Sequence, residues 1–215
     1  MKRRIVFLGP PASGKGTEAK KLSEKFSIPH ISTGEIFREA MEADTELGRL
    51  ARLFIDKGEL VPDDVVLALV DGWIGANGTG KGFIFDGFPR TLRQAELFDE
   101  KLAKLQKPLD VVIWLEPTVE MIIYRIEGRR VCSECRTNYH LTRLPSKVVG
   151  KCDRCDAPLK QRPDDTKEMV LKRLKVYQEQ TKGLFDYYQR QDKLRKIDGD
   201  LGPQEMFEEV LKAVV

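Results

Sequence analysis

Histidine and cysteine are both scarce: the 215 residues hold two histidines and four cysteines, and no cysteine falls outside the stretch from Cys132 to Cys155. Long apolar runs are missing as well, since nothing approaches the roughly 18 consecutive apolar residues that a membrane-spanning helix needs. Near the amino terminus only Ile5 to Leu8 are continuously apolar before Gly9 and Pro10 intervene, too short a run for the core of a signal peptide. A cytoplasmic protein is therefore expected, in which isolated disulfides would be reduced. One-sided charge is absent too. The 37 basic and 34 acidic residues leave a net +3, too slight an excess to argue for nucleic acid or a membrane surface. No tandem repeat or low-complexity tract is visible. What is present, 41% hydrophobic and 33% charged residues, fits one good-sized core with room for small inserted units.

The run IVFL at residues 5 to 8 suits a strand buried on both faces. GPPASGKGT follows at residues 9 to 17, and TEAKKLSEKF then places Ala19, Leu22 and Phe26 on one side of a helix. Strand, glycine-rich turn and helix in that order predict a phosphate-binding loop. Backbone N–H groups of the turn and the helix N-terminus face an anion, and Lys15 adds a point charge. Gly16 stands where the general pattern has serine or threonine, and the hydroxyl arrives one place later at Thr17. Further strands are expected at 28 to 31, 82 to 86, 110 to 115 and 194 to 198. Spacings of three and four from Val170 through Leu174, Tyr177, Thr181 and Leu184 to Tyr188 predict one long helix packed on the sheet.

The cysteines read C-x₂-C-x₁₆-C-x₂-C, at Cys132, Cys135, Cys152 and Cys155. Two short loops of that kind bring four thiolates to the corners of a tetrahedron, which predicts zinc. A disulfide pair is disfavoured by the expected compartment, and iron in the same cage stays open. A closed four-thiolate site leaves no position for water, so the metal is expected to be structural. Residues 128 to 165 contain nine basic and five acidic residues. Four thiolates and one Zn²⁺ reduce that excess to a modest value for a duplex-binding surface.

Several motifs occur in a fixed order: GKGT at 14 to 17, HISTGEIFR at 30 to 38, GELVPDD at 58 to 64, FDGFPRTLRQAE at 85 to 96, RIEGRR at 125 to 130, RPDD at 162 to 165 and KRL at 172 to 174. Together they resemble the adenylate kinases, in the long form with a four-cysteine zinc lid, over essentially the whole chain. The resemblance implies reversible transfer of the terminal phosphoryl group of ATP to AMP, giving two ADP, with magnesium. It also implies an α/β fold of the P-loop NTPase type, a five-stranded parallel sheet flanked by helices. The core would comprise residues 1–31, 62–127 and 166–215, with a small helical AMP-binding insertion at 32–61 and a zinc-binding lid at 128–165.

Phosphoryl transfer asks a protein mainly for positioning and for charge around the transferring group. Such a site should be rich in arginine, whose planar fork suits phosphate oxygens, and needs neither His30 nor His140 as a base. By resemblance the catalytic residues are Lys15, Arg90, Arg125, Arg129, Arg162 and Arg173. ATP would be bound by Gly14, Lys15, Gly16, Thr17, Arg125 and Arg129, with Asn138 and Tyr139 near its base or ribose. AMP would be held by Thr33, Gly34, Arg38, Leu60, Val61, Gly87, Arg90, Gln94, Arg162 and Arg173. By the same resemblance Thr17 and Asp86 match the magnesium shell, with Asp86 acting through water because Mg²⁺ dehydrates reluctantly. A capping role for Thr17 is an alternative. The Gln94 amide carries a donor and an acceptor, so it can read the N6 and N7 edge of adenine, where guanine would present O6.

Three positions depart from the family pattern: Ala12 where glycine is common in the loop, Lys182-Gly183 after the QT of the long helix, and Cys155 where many relatives have aspartate. Other readings remain at this stage. They are a kinase for another nucleoside monophosphate, a GTP or ITP donor, a catalytically silent nucleotide binder, and a zinc-knuckle nucleic-acid-binding P-loop protein. The last would need stacking aromatics near the cysteines, and only Tyr139 is available. The expected partners are ATP, AMP and ADP, with no nucleic acid or membrane, and a monomeric state.

Overall fold

In the computed structural model, which describes Met1–Val215, alternation along the first strand decides the layering. In β1 (Arg4–Leu8) Ile5 and Phe7 face one side of the sheet while Val6 and Leu8 face the other. Both faces are covered, so the run reads as continuously apolar. β3 (Phe83–Asp86) and β4 (Val111–Glu116) repeat the pattern: Phe83, Phe85, Val112 and Trp114 point to the first core, and Ile84, Val111, Ile113 and Leu115 to the second. With β2 (His30–Ser32) and β8 (Leu194–Asp198) the strands form one five-stranded sheet in the order β2-β3-β1-β4-β8, parallel throughout. The four strands expected after the first all occur, with ends shifted by at most two residues.

Helices close both faces. α1 (Lys15–Phe26) and α9 (Pro203–Val214) cover one side through Ala19, Leu22, Met206, Val210 and Val214. On the other side α4 (Asp63–Asn77) and α5 (Leu92–Lys104) bury an aromatic cluster in which Phe85, Phe88 and Phe98 meet edge to face or tilted at 5.0 to 5.7 Å. Between β2 and α4 lie α2 (Thr33–Glu42) and α3 (Glu46–Ile55), packed as a hairpin. Gly48 permits this close approach, because a Cβ there would collide with the Ala40 backbone. Ser32 caps α2 by accepting from Glu35 N.

α6 (Val119–Gly128) leads into a second sheet of three antiparallel strands in the order β6-β5-β7, from β5 (Arg129–Cys132), β6 (Asn138–His140) and β7 (Leu159–Lys160). Its apolar cluster holds only Cys132, Tyr139 and Cys152 as buried residues. His140 pins the point where α6 turns into this sheet. Its Nε2 donates to Tyr124 O and its Nδ1 accepts from Thr142 N and Arg143 N, which settles the tautomer and makes the residue structural.

The long helix expected from residue 170 to 188 is instead three pieces. α7 (Lys167–Val176) passes into a π-helical turn at Tyr177–Thr181, and α8 (Leu184–Gln189) resumes after Gly183. Lys182 N bonds to Tyr177 O, which accommodates one extra residue per turn. The spacing of three and four survives this widening only approximately, so the sequence pattern does not report it. No helix is long and apolar enough to cross a membrane.

Candidate active site

The carboxyl ends of β1, β2 and β3 open into a cavity of about 320 Å³, where ligands of open α/β sheets collect. The loop between β1 and α1 forms its floor. Gly14, with φ 101°, is the N-cap of α1, and having no side chain it leaves the first N–H groups of the helix without a side-chain acceptor. Gly16 has a specific reason to lack a side chain: a Cβ would lie 2.9 Å from Asp86 Oδ2. The glycine that breaks the general phosphate-loop pattern thus lets the first turn of α1 approach the end of β3.

Lys15 is folded onto its own loop, donating to Gly9 O at 2.8 Å, Pro10 O at 2.7 Å and Ser13 Oγ at 3.0 Å. Burial pulls its ammonium down to about 8, Asp86 pushes back, and Arg90 and Arg129 lower it further. Arg125 donates to Ser13 O at 2.8 Å and to Gly199 O at 2.5 Å, tying α6 to the loop. Ala12 adopts φ 57°, in the left-handed region, and its methyl packs against the cluster of Ile122, Ile126, Val170 and Leu174.

On the opposite wall Thr33 Oγ1 donates to Gly87 O at 2.9 Å, and Arg90 Nε donates to the same oxygen at 2.7 Å. Gly87 has φ 77°, and a Cβ would lie 2.9 Å from the Arg90 guanidinium. Arg90 is exposed along the cavity, with protein crowding it on its other sides. That enclosure lowers it to about 10 against the support of Asp86, so it stays charged at neutral pH. The π turn has a direct consequence here, because Thr181 Oγ1 donates to Arg90 O at 2.8 Å.

From the three-stranded sheet and its flanks come Arg129 and Arg162, and from α7 comes Arg173. Each is held by a carboxylate or amide. Arg129 makes a bidentate pair with the buried Asp165, while Arg173 reaches Asp164 at 2.6 Å. Arg38 of α2 approaches the same Asp164 at 3.6 Å. Arg162 donates to Asn138 Oδ1 at 3.4 Å and lies 3.9 Å from Glu35. Burial lowers Arg162 to about 9, with Arg38 and Arg129 adding like-charge repulsion. Burial alone would raise Asp164, yet Arg38 and Arg173 hold it well below the usual carboxylate range.

All the loop, AMP-side, magnesium-shell and arginine positions named from the sequence line this one cavity, including Gly34, Leu60 and Val61. Two behave differently from expectation in detail. Tyr139 lines the cavity but is only 7% exposed, and its hydroxyl accepts from Asp153 N and meets Cys152 Sγ among the cysteines. Gln94 is 1% exposed, and both ends of its amide already carry a protein partner. Sequence reasoning missed Glu35, Asp164 and Asp165 as counter-charges and Arg143 as a lining residue that also donates to Leu201 O at 2.6 Å. The carboxylates of RPDD were in a quoted motif, so the charge alternation next to Arg162 was the available signal.

The four cysteines converge at the far side of the three-stranded sheet, all Sγ atoms within 4.8 Å of one another. Cys132 and Cys155 Sγ lie 3.4 Å apart and Cys135 and Cys152 Sγ 3.5 Å apart. A tetrahedron with Zn–S near 2.3 Å has edges of about 3.8 Å, so the cage has the size and donor set that zinc requires. Arg154 N donates to Cys152 Sγ, as expected beside a metal-bound thiolate.

This unit touches both neighbours. Arg136 pairs with Glu42 of α2, Arg154 pairs with Glu24 of α1 at 2.6 Å, and Lys20 donates to Thr137 Oγ1 at 3.4 Å. The same unit lines the cavity through Arg129, Asn138, Tyr139, His140, Arg143 and Arg162.

A family model described as adenylate kinase matches residues 7–193. Among curated relatives, the adenylate kinase of Carboxydothermus hydrogenoformans is 47% identical over 98% of this chain and 99% of its own length. That of Clostridium tetani is 46% identical over 96% of this chain and 95% of its own. That of Thermosipho africanus is 46% identical over 98% of each.

Proposed function

The chain belongs to the adenylate kinase family and is a nucleoside monophosphate kinase; on that premise we propose that it transfers the γ-phosphoryl group of ATP reversibly to AMP, giving two ADP. The observation that supports this most is the cavity itself. Lys15, Arg38, Arg90, Arg125, Arg129, Arg162 and Arg173 converge there on a phosphate loop.

In this reading the donor triphosphate lies along the loop from Gly14 to Thr17, with N–H groups of the α1 start facing its oxygens. Lys15 would exchange its three loop acceptors for phosphate oxygens, and Arg125 and Arg129 would hold the same group. The acceptor phosphate sits between Arg38 and Arg90 beside Thr33 and Gly34, with Leu60, Val61, Gly87 and Gln94 around its base. Arg162 and Arg173 complete the charge around the transferring group, where stabilisation of developing charge is worth most in a dry site. Asn138 and Tyr139 would border the donor ribose or base through their backbone and ring. Thr17 and Asp86, adjacent at the loop, would hold magnesium arriving with ATP, which neutralises charge on the phosphate oxygens.

We further propose that residues 32–61 act as the acceptor-side insertion and 128–165 as a lid, on a core of 1–31, 62–127 and 166–215. Lid closure in adenylate kinase is a known gating motion. Here closure excludes water that would otherwise take the phosphoryl group. Zinc in the cysteine cage would substitute for the small core of the lid and take no part in the reaction. The reading extends to a monomeric, cytoplasmic enzyme whose partners are ATP, AMP and ADP. It is tested by offering the purified protein Mg-ATP with AMP, GMP, CMP or UMP in turn and resolving the diphosphates chromatographically. AMP should be consumed far faster than the others; turnover of a different monophosphate without AMP would overturn the assignment.

A further inference from the structure

Two hydroxyl groups touch the cysteine cage from outside, and in each the hydrogen has one destination. Tyr139 is 7% exposed, and its oxygen accepts from Asp153 N at 2.8 Å. The other polar contact of that hydroxyl is Cys152 Sγ at 3.4 Å. Thr137 repeats the arrangement: its Oγ1 accepts from Lys20 Nζ at 3.4 Å and lies 3.1 Å from Cys135 Sγ. A metal-bound thiolate carries no hydrogen, so in a loaded cage each hydroxyl donates to sulfur.

Charge gives these contacts their weight. Four thiolates around one divalent cation leave a net negative charge, and Cys132 and Cys152 are 0% and 3% exposed. Buried charge needs hydrogen-bond donors, and bonds to a charged acceptor are the strong ones. Cys152 receives the Tyr139 hydroxyl and Arg154 N, and Cys135 receives the Thr137 hydroxyl. Cys132 and Cys155 meet no hydroxyl, and their sulfurs lie against each other. Lys20 belongs to α1, so through Thr137 a cation from outside the three-stranded unit stands one hydroxyl away from the cage.

We propose that Tyr139 and Thr137 are positioning residues of the metal cage: their hydroxyls donate to the Cys152 and Cys135 thiolates and set how tightly the metal is held. The inference rests on the reading above that the cage holds zinc. Both residues act through the cysteines and neither ligates the metal, as outer contacts do when they orient ligands and tune a metal.

The test uses the full chain loaded with zinc and compares wild type with Tyr139→Phe, Thr137→Val and Thr137→Ser. Zinc affinity is read by competition with a chromophoric chelator. Tyr139→Phe and Thr137→Val should each weaken it by about tenfold, the lower end of what loss of an outer contact costs. Thr137→Ser, which keeps the hydroxyl, should hold zinc as wild type does. Co²⁺ in place of the spectroscopically silent zinc then reports on the sulfurs themselves. Its thiolate-to-metal charge-transfer absorption should move to longer wavelength in Tyr139→Phe and Thr137→Val, because a sulfur that loses a hydrogen bond gives up electron density more easily. Each hydroxyl has its own substitution, so failure of one variant to fold leaves the other to decide. A lowered melting temperature with affinity and absorption unmoved would mean a merely structural role. That result, in a protein whose wild type binds one metal per chain, would overturn the proposal and leave the cage standing. No metal uptake by the reduced wild type would overturn both.

Discussion

Asp164→Asn removes one negative charge from among the arginines that would otherwise face phosphate. Asp164 Oδ2 lies 2.6 Å from Arg173 and 3.6 Å from Arg38, with side-chain exposures of 19%, 17% and 28% respectively. Breaking a buried ion pair by removing one partner costs about 3–5 kcal/mol. Asparagine keeps a hydrogen-bond acceptor and the cavity admits water, so about 2 kcal/mol is the better expectation. For a chain of this size that lowers Tm by about 4–8 °C. Two further results separate this account from generic damage. Nucleotide phosphates would supply the missing negative charge, so the variant should lose less stability with saturating ATP and AMP than without. The pH dependence also has a definite sign. Arg38 and Arg173 hold Asp164 below its unfolded value of about 3.9, so its contribution is present above about pH 4 and is lost as pH falls through the folded value. The gap between wild type and variant should therefore narrow on acidification. Scanning calorimetry at pH 7 and pH 3.5, with and without nucleotide, measures all of this. An equal loss of Tm with and without nucleotide, or no loss at either pH, would refute the charge-compensation reasoning.

Lys15 is lowered to about 8 by burial in the nucleotide-free protein, and phosphate should raise it again. Mg-ATP binding should then take up a proton at pH 8.5 and little at pH 6.5, read by titration calorimetry in buffers of different ionisation enthalpy. Combining Glu24→Gln with Glu42→Gln severs the two ion pairs that join the cysteine-bearing unit to α1 and to α2. At roughly 0.2–1 kcal/mol each, the double change should raise KM for ATP about twofold to thirtyfold at low salt, and the difference should fade at high salt. Ala12→Gly relieves a left-handed backbone, worth about 1–2 kcal/mol, but deletes a packed methyl worth about 0.8 kcal/mol. Urea unfolding should therefore show a net change within about 1 kcal/mol. A thiol-competitive chelator should release one zinc per chain and lower Tm while leaving the five-stranded sheet intact by circular dichroism.

Local chemistry accounts for what was readable in advance. IVFL, GPPASGKGT and the paired C-x₂-C motifs each act within a few residues, so strand, phosphate loop and metal cage were visible as strings. The parallel sheet followed from repeated apolar runs separated by helical periodicity. What escaped notice depends on residues far apart in the chain. Asp63 and Gln94 are 31 positions apart, and nothing local announces that a carboxylate accepts from the amide. The same holds for Arg38 with Asp164 and for the charged contacts of Arg136 and Arg154 with α2 and α1. The π turn at Tyr177–Thr181 was hidden for a different reason. Buried residues there still recur at nearly helical spacing, and the contact from the widened turn, Thr181 to the carbonyl of Arg90, spans 91 residues. Tyr139 shows the limit of assigning a whole residue to one role, because it lines the cavity while its hydroxyl meets Cys152 in the cysteine cage.

Direct transfer between two nucleotides, with water excluded, is tested most directly with ATP labelled at the γ-phosphorus and mixed with magnesium, AMP and the protein. The label should appear at the β-position of ADP formed from AMP, with release of inorganic phosphate negligible beside it. Label appearing chiefly as inorganic phosphate, or ADP accumulating without label, would contradict it.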